Sequence, residues 1–288
     1  MRLRSLLKKL PVDRWRNPPP VVAVVALSGV IGRMGGLQRG LTLRRLAATL
    51  KRAFDLDDAK AVAIVVDSPG GSPVQSALIA GRIRALAAEK KVPVYAFAED
   101  VAASGGYWLL IAGDEIYANE SSIIGSIGVV AGGFGFPEAL QRLGIERRLY
   151  TAGTHKAALD PFSPEKPEEV VHLRAILEDT HETFRRHVRD RRSGKLKGDE
   201  EVLFSGRFWT GRMALDLGLI DGIGDLRSVM RTRFGEKVRL RLVGDRQSWW
   251  RRRLGLPGTN AARGAVDQLP EQVLAALEER LLWNRFGL

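Results

Sequence analysis

Strands alternating with helices, apolar strand interiors and glycine-rich turns at strand ends predict an α/β fold with a largely parallel sheet flanked by helices. Ala61–Asp67 reads AVAIVVD, a continuous apolar run of the kind a parallel sheet buries on both faces. Segments such as Leu43–Phe54 and Ser76–Lys90 separate these runs and carry apolar residues at helical spacing. Strand–helix alternation of this sort is the signature of helices packed on a parallel sheet.

The elements follow in order. Val21–Leu27 is β-branched and apolar and reads as a first strand, followed by the Leu43–Phe54 helix and the Ala61–Asp67 strand. After the Ser76–Lys90 helix comes a strand over Val92–Ala98, and a short helix starts near Ser104. Short strands are expected at Ile116–Ala118 and Ser126–Val130, a helix at Pro137–Leu143 and extended chain at Glu146–Tyr150. Glu168–Arg192 reads as a long charged helix, with shorter ones at Arg212–Leu217 and Leu226–Phe234.

The flanks differ from this body. Residues 1–20 form a basic segment closed by Pro18-Pro19-Pro20; Leu3, Leu6, Leu7 and Leu10 give its first part the pattern of a short amphipathic helix. Residues 21–243 form the single core domain. Residues 244–288 are a basic tail with Trp249-Trp250-Arg251-Arg252-Arg253, a Gly/Pro/Asn/Ala linker and an amphipathic helix over Glu271–Trp283. The first reads equally as a membrane-surface anchor or a solvated terminus, and the second as an attachment segment for membrane or partner or as a helix packed on the body.

Composition narrows the functional classes. The chain has 288 residues, 45% hydrophobic and 27% charged, ordinary for a globular protein with a sizeable core. It has no cysteine, which excludes disulfides, thiolate metal sites and a cysteine nucleophile. Forty-five Lys and Arg against 33 Asp and Glu give a net charge of +12, which favours acidic partners or surfaces. No apolar run reaches the roughly 20 residues a spanning helix needs, and no signal-peptide pattern is present. The expectation is a cytoplasmic protein, with the basic N-terminus a candidate peripheral anchor on the inner face of the membrane.

Chemistry concentrates at strand ends. Asp67-Ser68-Pro69-Gly70-Gly71-Ser72 follows the AVAIVV strand; its glycines permit a tight turn and leave N–H groups that can hold an anion or oxyanion. It is neither a P-loop nor a dinucleotide fingerprint, and taken alone such a turn is more often just a turn. Ala102-Ala103-Ser104-Gly105-Gly106-Tyr107-Trp108 sets one serine among small residues at the head of a buried helix. Ser104 there is either a nucleophile or an N-cap. His172, His181 and His187 lie on the long charged helix, where surface or core-edge roles are expected. No His/Asp/Glu spacing suggests a metal, and no cofactor is expected. His155 and Lys156 remain as bases. A lysine serves as a base only if desolvation favours its neutral amine, which flanking Ala157, Ala158 and Leu159 permit.

The order SPGG, ASGGYW, IIGSIGV and AGTHKAALDPFSP, at these spacings, resembles the signal peptide peptidase A (SppA) family of serine proteases from about Val21 to Phe234. The resemblance implies a Clp protease/crotonase-like fold and a Ser/Lys dyad. Ser104 matches the nucleophile, Lys156 the general base and Ser126 a hydroxyl that orients the lysine, while Gly71 and Gly105 match the oxyanion hole. It implies an endopeptidase cleaving signal-peptide remnants or other apolar peptides, in a homo-oligomeric ring whose sites are shared between subunits. Members commonly carry an N-terminal membrane span, from which this sequence departs. Rival readings are a crotonase-type enzyme, which would rely on carboxylates, and a non-catalytic oligomeric scaffold or binding protein on the same fold. Nucleic acid is not an expected partner, since charge alone suggests it and no recognition motif is present.

Overall fold

A computed structural model describes residues 18–33, 40–244 and 280–287. The amphipathic N-terminal segment, the Trp249–Arg253 cluster and most of the expected Glu271–Trp283 helix lie outside these residues; its described residues, 280–283, are helical, and the helix runs on to 284.

The sheet grows from β1 (Val21–Ser28), β2 (Ala59–Ser68) and β3 (Val94–Ala103), three parallel strands joined by α1 (Leu43–Phe54) and α2 (Pro73–Lys90). Alternate residues of these strands face opposite layers. Val25, Leu27, Ile64 and Val66 pack with Leu50 and Phe54 of α1 and Ile79 and Ile83 of α2. Val22, Val24, Ala63, Val65, Tyr95 and Phe97 pack with Met230 of α8 (Leu226–Phe234). Both faces are therefore covered, which is why AVAIVV shows no polar alternation.

The remaining elements are α3 (Gly105–Leu110), β4 (Glu115–Ala118), β5 (Ile123–Gly125), α4 (Pro137–Arg142), α5 (Pro167–Arg191), α6 (Glu200–Leu203), β6 (Phe208–Thr210), α7 (Gly211–Asp216), β7 (Gly222–Ile223) and β8 (Arg239–Leu242). The eight strands run β6-β5-β3-β2-β1-β8, with β4 also paired to β3 and β7 to β4. Only β5–β6 is antiparallel. This mostly parallel sheet between helices is the α/β architecture expected of a Clp protease-like fold.

Strand β3 serves two neighbours. Tyr95–Ala98 pairs with β4, and Val101–Ala103 with β5. At the changeover the β2–β3 register shifts between Val66 and Ser68, and the Asp67 carboxylate accepts the Val101 N–H at 3.3 Å. The strand thus continues through Glu99 and Asp100 to Ala103, beyond the Ala98 end that its apolar run suggests.

Three other expectations change. Helix α2 begins at Pro73 rather than Ser76, because Ser72 caps it by accepting the Gln75 N–H and proline suits the first turn. The strand expected at Ser126–Val130 is instead β5, Ile123–Gly125. It ends where Gly125 and Ser126 both take positive φ, and Gly125 lies so close to Trp209 that a Cβ would sit 2.7 Å from its ring. Glu146–Tyr150 forms no strand and is exposed. It belongs to a stretch, residues 128–168, in which no residue is buried.

Arg192, 1% exposed, holds the end of α5 to the body. It donates to Gly218 O and forks onto Asp221 at 2.9 and 3.0 Å, while Asp221 also accepts the Ile116 N–H.

Candidate active site

Ser104 ends β3 with φ 52° and ψ −121°, a conformation L residues seldom adopt and one that costs about 1–3 kcal/mol. Two hydrogen bonds hold it: Ser104 N–H donates to Gly125 O at 2.7 Å, and Trp108 N–H donates to Ser104 O at 3.1 Å. The residue occupies the N-cap position of α3, yet its side chain makes no capping hydrogen bond. Of the two roles open to it in the sequence, capping is not the one it performs. It lines a cleft of about 570 Å³.

The SPGG turn packs directly on Ser104. Ser68 Oγ accepts the Gly70 N–H at 3.2 Å, Ile31 N–H donates to Gly70 O and Ser72 N–H donates to Ile31 O, both at 2.8 Å. Side chains are excluded here. A Cβ on Gly70 would lie 2.8 Å from the Ser104 Cβ, one on Gly71 2.1 Å from Ile31 O, and one on Gly105 2.5 Å from Ser76 Oγ and 3.4 Å from Gly71 N. The turn therefore sets the Gly71 and Gly105 backbones side by side next to Ser104. Neither N–H has a backbone partner among the described residues. Two unpaired N–H groups beside a serine at a cleft wall can stabilise an oxyanion formed on that serine's target.

Ser126 lines the same cleft, buried, with φ 52° and its N–H on Arg207 O at 2.7 Å. The cleft walls are mixed: Trp108, Val129 and Phe184 supply apolar surface, and Thr180, His181 and Ser205 supply polar groups. Trp108 stacks on Phe184 at 4.8 Å and on His187 at 4.7 Å. Burial first, and then the Arg191 charge, push the His187 imidazole down to about 4, so it is neutral at pH 7. Burial likewise raises the carboxyls of Asp67, near the end of β2, and of Glu99, within β3.

The structure thus brings Ser104, Gly71, Gly105 and Ser126 together around one cleft. It does not bring Lys156 or His155 there within the chain. Both are exposed in the turns of the 128–168 arm, where Lys156 N–H donates to Gly153 O. The arm is organised by its own contacts: Phe136 against Phe134 and Phe162, Arg147 over Phe162 and paired with Asp160, and Glu169 accepting the Leu159 N–H at 2.9 Å. It also exposes Val130, Phe134, Leu143, Leu149 and Tyr150.

Several cleft residues carried no local signal. His181, expected at a surface or core edge, lines the cleft and donates from Nε2 to Ile127 O at 3.0 Å, tying α5 to the Ser126 loop. Thr180 and Phe184 join it through helical spacing on α5. Gly70 could have been suspected from its place beside Gly71. Leu282, Arg285 and Phe286, far along the chain, could not.

Comparison with known proteins is consistent with this arrangement. Residues 86–238 match the model of peptidase family S49. The chain belongs to peptidase family S49. It is 31% identical to a putative protease of Synechocystis, over 84% of this chain and 86% of that one. It is 32% identical to the chloroplastic serine protease SPPA of Arabidopsis thaliana, over 71% of this chain and 31% of that protein. A Brucella abortus protein named Na(+)/H(+) antiporter NhaA is 48% identical over 99% of this chain. The chain spans 39% of that protein's length. No helix among the described residues is long and apolar enough to cross a membrane.

Proposed function

We propose that the protein is a serine endopeptidase in which Ser104 is the nucleophile, Lys156 the general base, and the Gly71 and Gly105 N–H groups the oxyanion hole. The observation that carries this is Ser104 itself: strained, making no capping bond, at a cleft wall and flanked by two N–H groups with no backbone partner among the described residues. Neutral Lys156 takes the Ser104 proton as Oγ attacks the peptide carbonyl. The two N–H groups hold the tetrahedral oxyanion, and protonated Lys156 gives its proton to the leaving amine. A water, deprotonated by the same lysine, then releases the acyl group and restores the Ser104 hydroxyl. Ser126 orients the lysine amine.

Lys156 comes from a neighbouring copy in a homo-oligomeric ring. Support for this is the arm that bears it, which has no buried residue from 128 to 168 and exposes a row of large apolar side chains as an unfilled interface would. Docking that arm beside a neighbour's cleft would also desolvate the lysine, the condition for a neutral amine. The substrates are apolar peptides such as signal-peptide remnants, in keeping with the Trp108, Val129 and Phe184 walls. The enzyme works in the cytoplasm or at the inner face of the cytoplasmic membrane, which fractionation of cells would test.

The test is complementation between inactive variants. Ser104→Ala and Lys156→Ala are each expected to abolish turnover of an apolar fluorogenic peptide. Unfolded and reassembled together in equal amounts, they should recover about a quarter of wild-type activity, the random chance that one interface receives both intact residues. No recovery from co-assembled rings would refute the shared site, and activity surviving Lys156→Ala would move the base to His155 or another group. The separation of Lys156 from Ser104 is also what a non-catalytic scaffold would show; wild-type rings that cleave no peptide would favour that reading.

A further inference from the structure

The described C-terminal residues lie far from the sheet in sequence but not in space. Residues 280–284 are helical, and Leu282, Arg285 and Phe286 line the cleft that holds Ser104. Phe286 meets Phe208 of β6 edge to face, ring centroids 5.2 Å apart, and β6 pairs with β5 immediately before Ser126. Phe286 also lines a second cavity, bounded by Phe97, Glu99, Asn119 and Arg227. It therefore borders both spaces.

Two properties of this segment bear on what the cleft admits. It bounds the cleft without filling it, since a volume of about 570 Å³ stays open, room for a few side chains but not for a folded chain. Arg285 is also the only permanently charged side chain on the described wall; the other lining residues are apolar, hydroxyl-bearing, glycine or proline, with His181 the one further titratable group. The attachment is light. Leu281 is exposed, Trp283 and Phe286 are partly exposed, and the aromatic contact with Phe208 is worth on the order of 1 kcal/mol. A wall held this weakly narrows the opening and can be displaced.

We infer that the C-terminal segment around Leu282, Arg285 and Phe286 is a removable wall of the Ser104 cleft that selects substrates by girth, admitting slender extended peptides and hindering bulky ones. The inference rests on the reading of this cleft as the catalytic one, and it can be tested separately from catalysis because the chain has no cysteine. Ser104→Cys places a single thiol at the cleft. Its alkylation by iodoacetamide and by a bulky polyethylene-glycol maleimide is measured in the full-length chain, in a chain ending at residue 279, and with Phe286→Ala.

Shortening the chain, or Phe286→Ala, should speed the bulky reagent severalfold and leave iodoacetamide within about twofold. Equal acceleration of both reagents, or of neither, overturns the proposed wall. With Ser104 intact, the shortened chain should gain more on an apolar peptide carrying bulky side-chain adducts than on the same peptide without them, and an unchanged ratio overturns selection by girth. If no form cleaves anything, the peptidase reading fails while the alkylation rates still decide whether the wall exists.

Discussion

Replacing Gly71 with alanine separates the proposed role of its N–H from general damage. The added Cβ would stand 2.1 Å from Ile31 O and 2.9 Å from Ile31 C, on backbone that cannot rotate away, at a φ of 137° that alanine disfavours. The turn must shift, loosening the Ile31 N–H to Gly70 O and Ser72 N–H to Ile31 O hydrogen bonds. Strain of about 1–3 kcal/mol together with two weakened bonds of roughly 1 kcal/mol each predicts a loss of about 3–5 kcal/mol in stability. A displaced Gly71 N–H can no longer meet the oxyanion, and loss of one such donor lowers kcat by roughly 10²–10³. The oxyanion exists only in the transition state, so KM should change little.

Urea unfolding gives the first quantity and peptide turnover by the folded variant the second. Gly81→Ala is the control: it lies exposed on α2 with nothing within 4 Å of a new Cβ, and it should stabilise by about 0.5–1 kcal/mol without touching kcat. A folded Gly71→Ala enzyme retaining more than half the wild-type kcat would refute the oxyanion assignment.

His187 is held neutral, down to about 4, while an unfolded histidine titrates near 6.5. Its contribution is intact above pH 6.5 and falls away between 6.5 and 4, by about 3 kcal/mol at most, because only the unfolded chain gains a proton there. Denaturation at stepped pH should show this loss, and His187→Phe, which keeps a ring against Trp108, should flatten it. Arg192→Ala leaves the partly buried Asp221 short of its main partner and removes the bonds to Gly218 O, so unfolding free energy should fall by about 3 kcal/mol. Ser126→Ala should lower kcat of the assembled enzyme more than KM, whereas parallel loss of folding would mean that Ser126 acts only as structure.

The central strands and helices were legible because burial leaves a local trace. AVAIVVD admits little else, and the helix over Leu43–Phe54 has the bounds its spacing predicts. The two glycine turns were legible as chemistry because close backbone approach excludes side chains at Gly70, Gly71 and Gly105. The β5 boundary was misread because Ser126-Ile127-Gly128-Val129-Val130 has strand composition, while the Gly125–Trp209 contact that ends the strand is made across the fold. His181 and Phe286 reach the cleft only through tertiary closure, from α5 and from the far end of the chain, and neither has a neighbour in sequence that announces it. Lys156 was legible as one of two candidate bases by elimination, and resemblance chose it over His155; in a single chain it is exposed.

The distance between Ser104 and the arm bearing Lys156 also bears on reaction order. An enzyme whose site is complete in one chain has a rate proportional to its concentration. With the nucleophile and the base on different chains, the rate would climb faster than the amount of protein until rings saturate, then become linear. Newly made chains would stay inert while scarce, and dilution alone would act as a brake. Rate against enzyme concentration, measured through the assembly range, would show this as upward curvature.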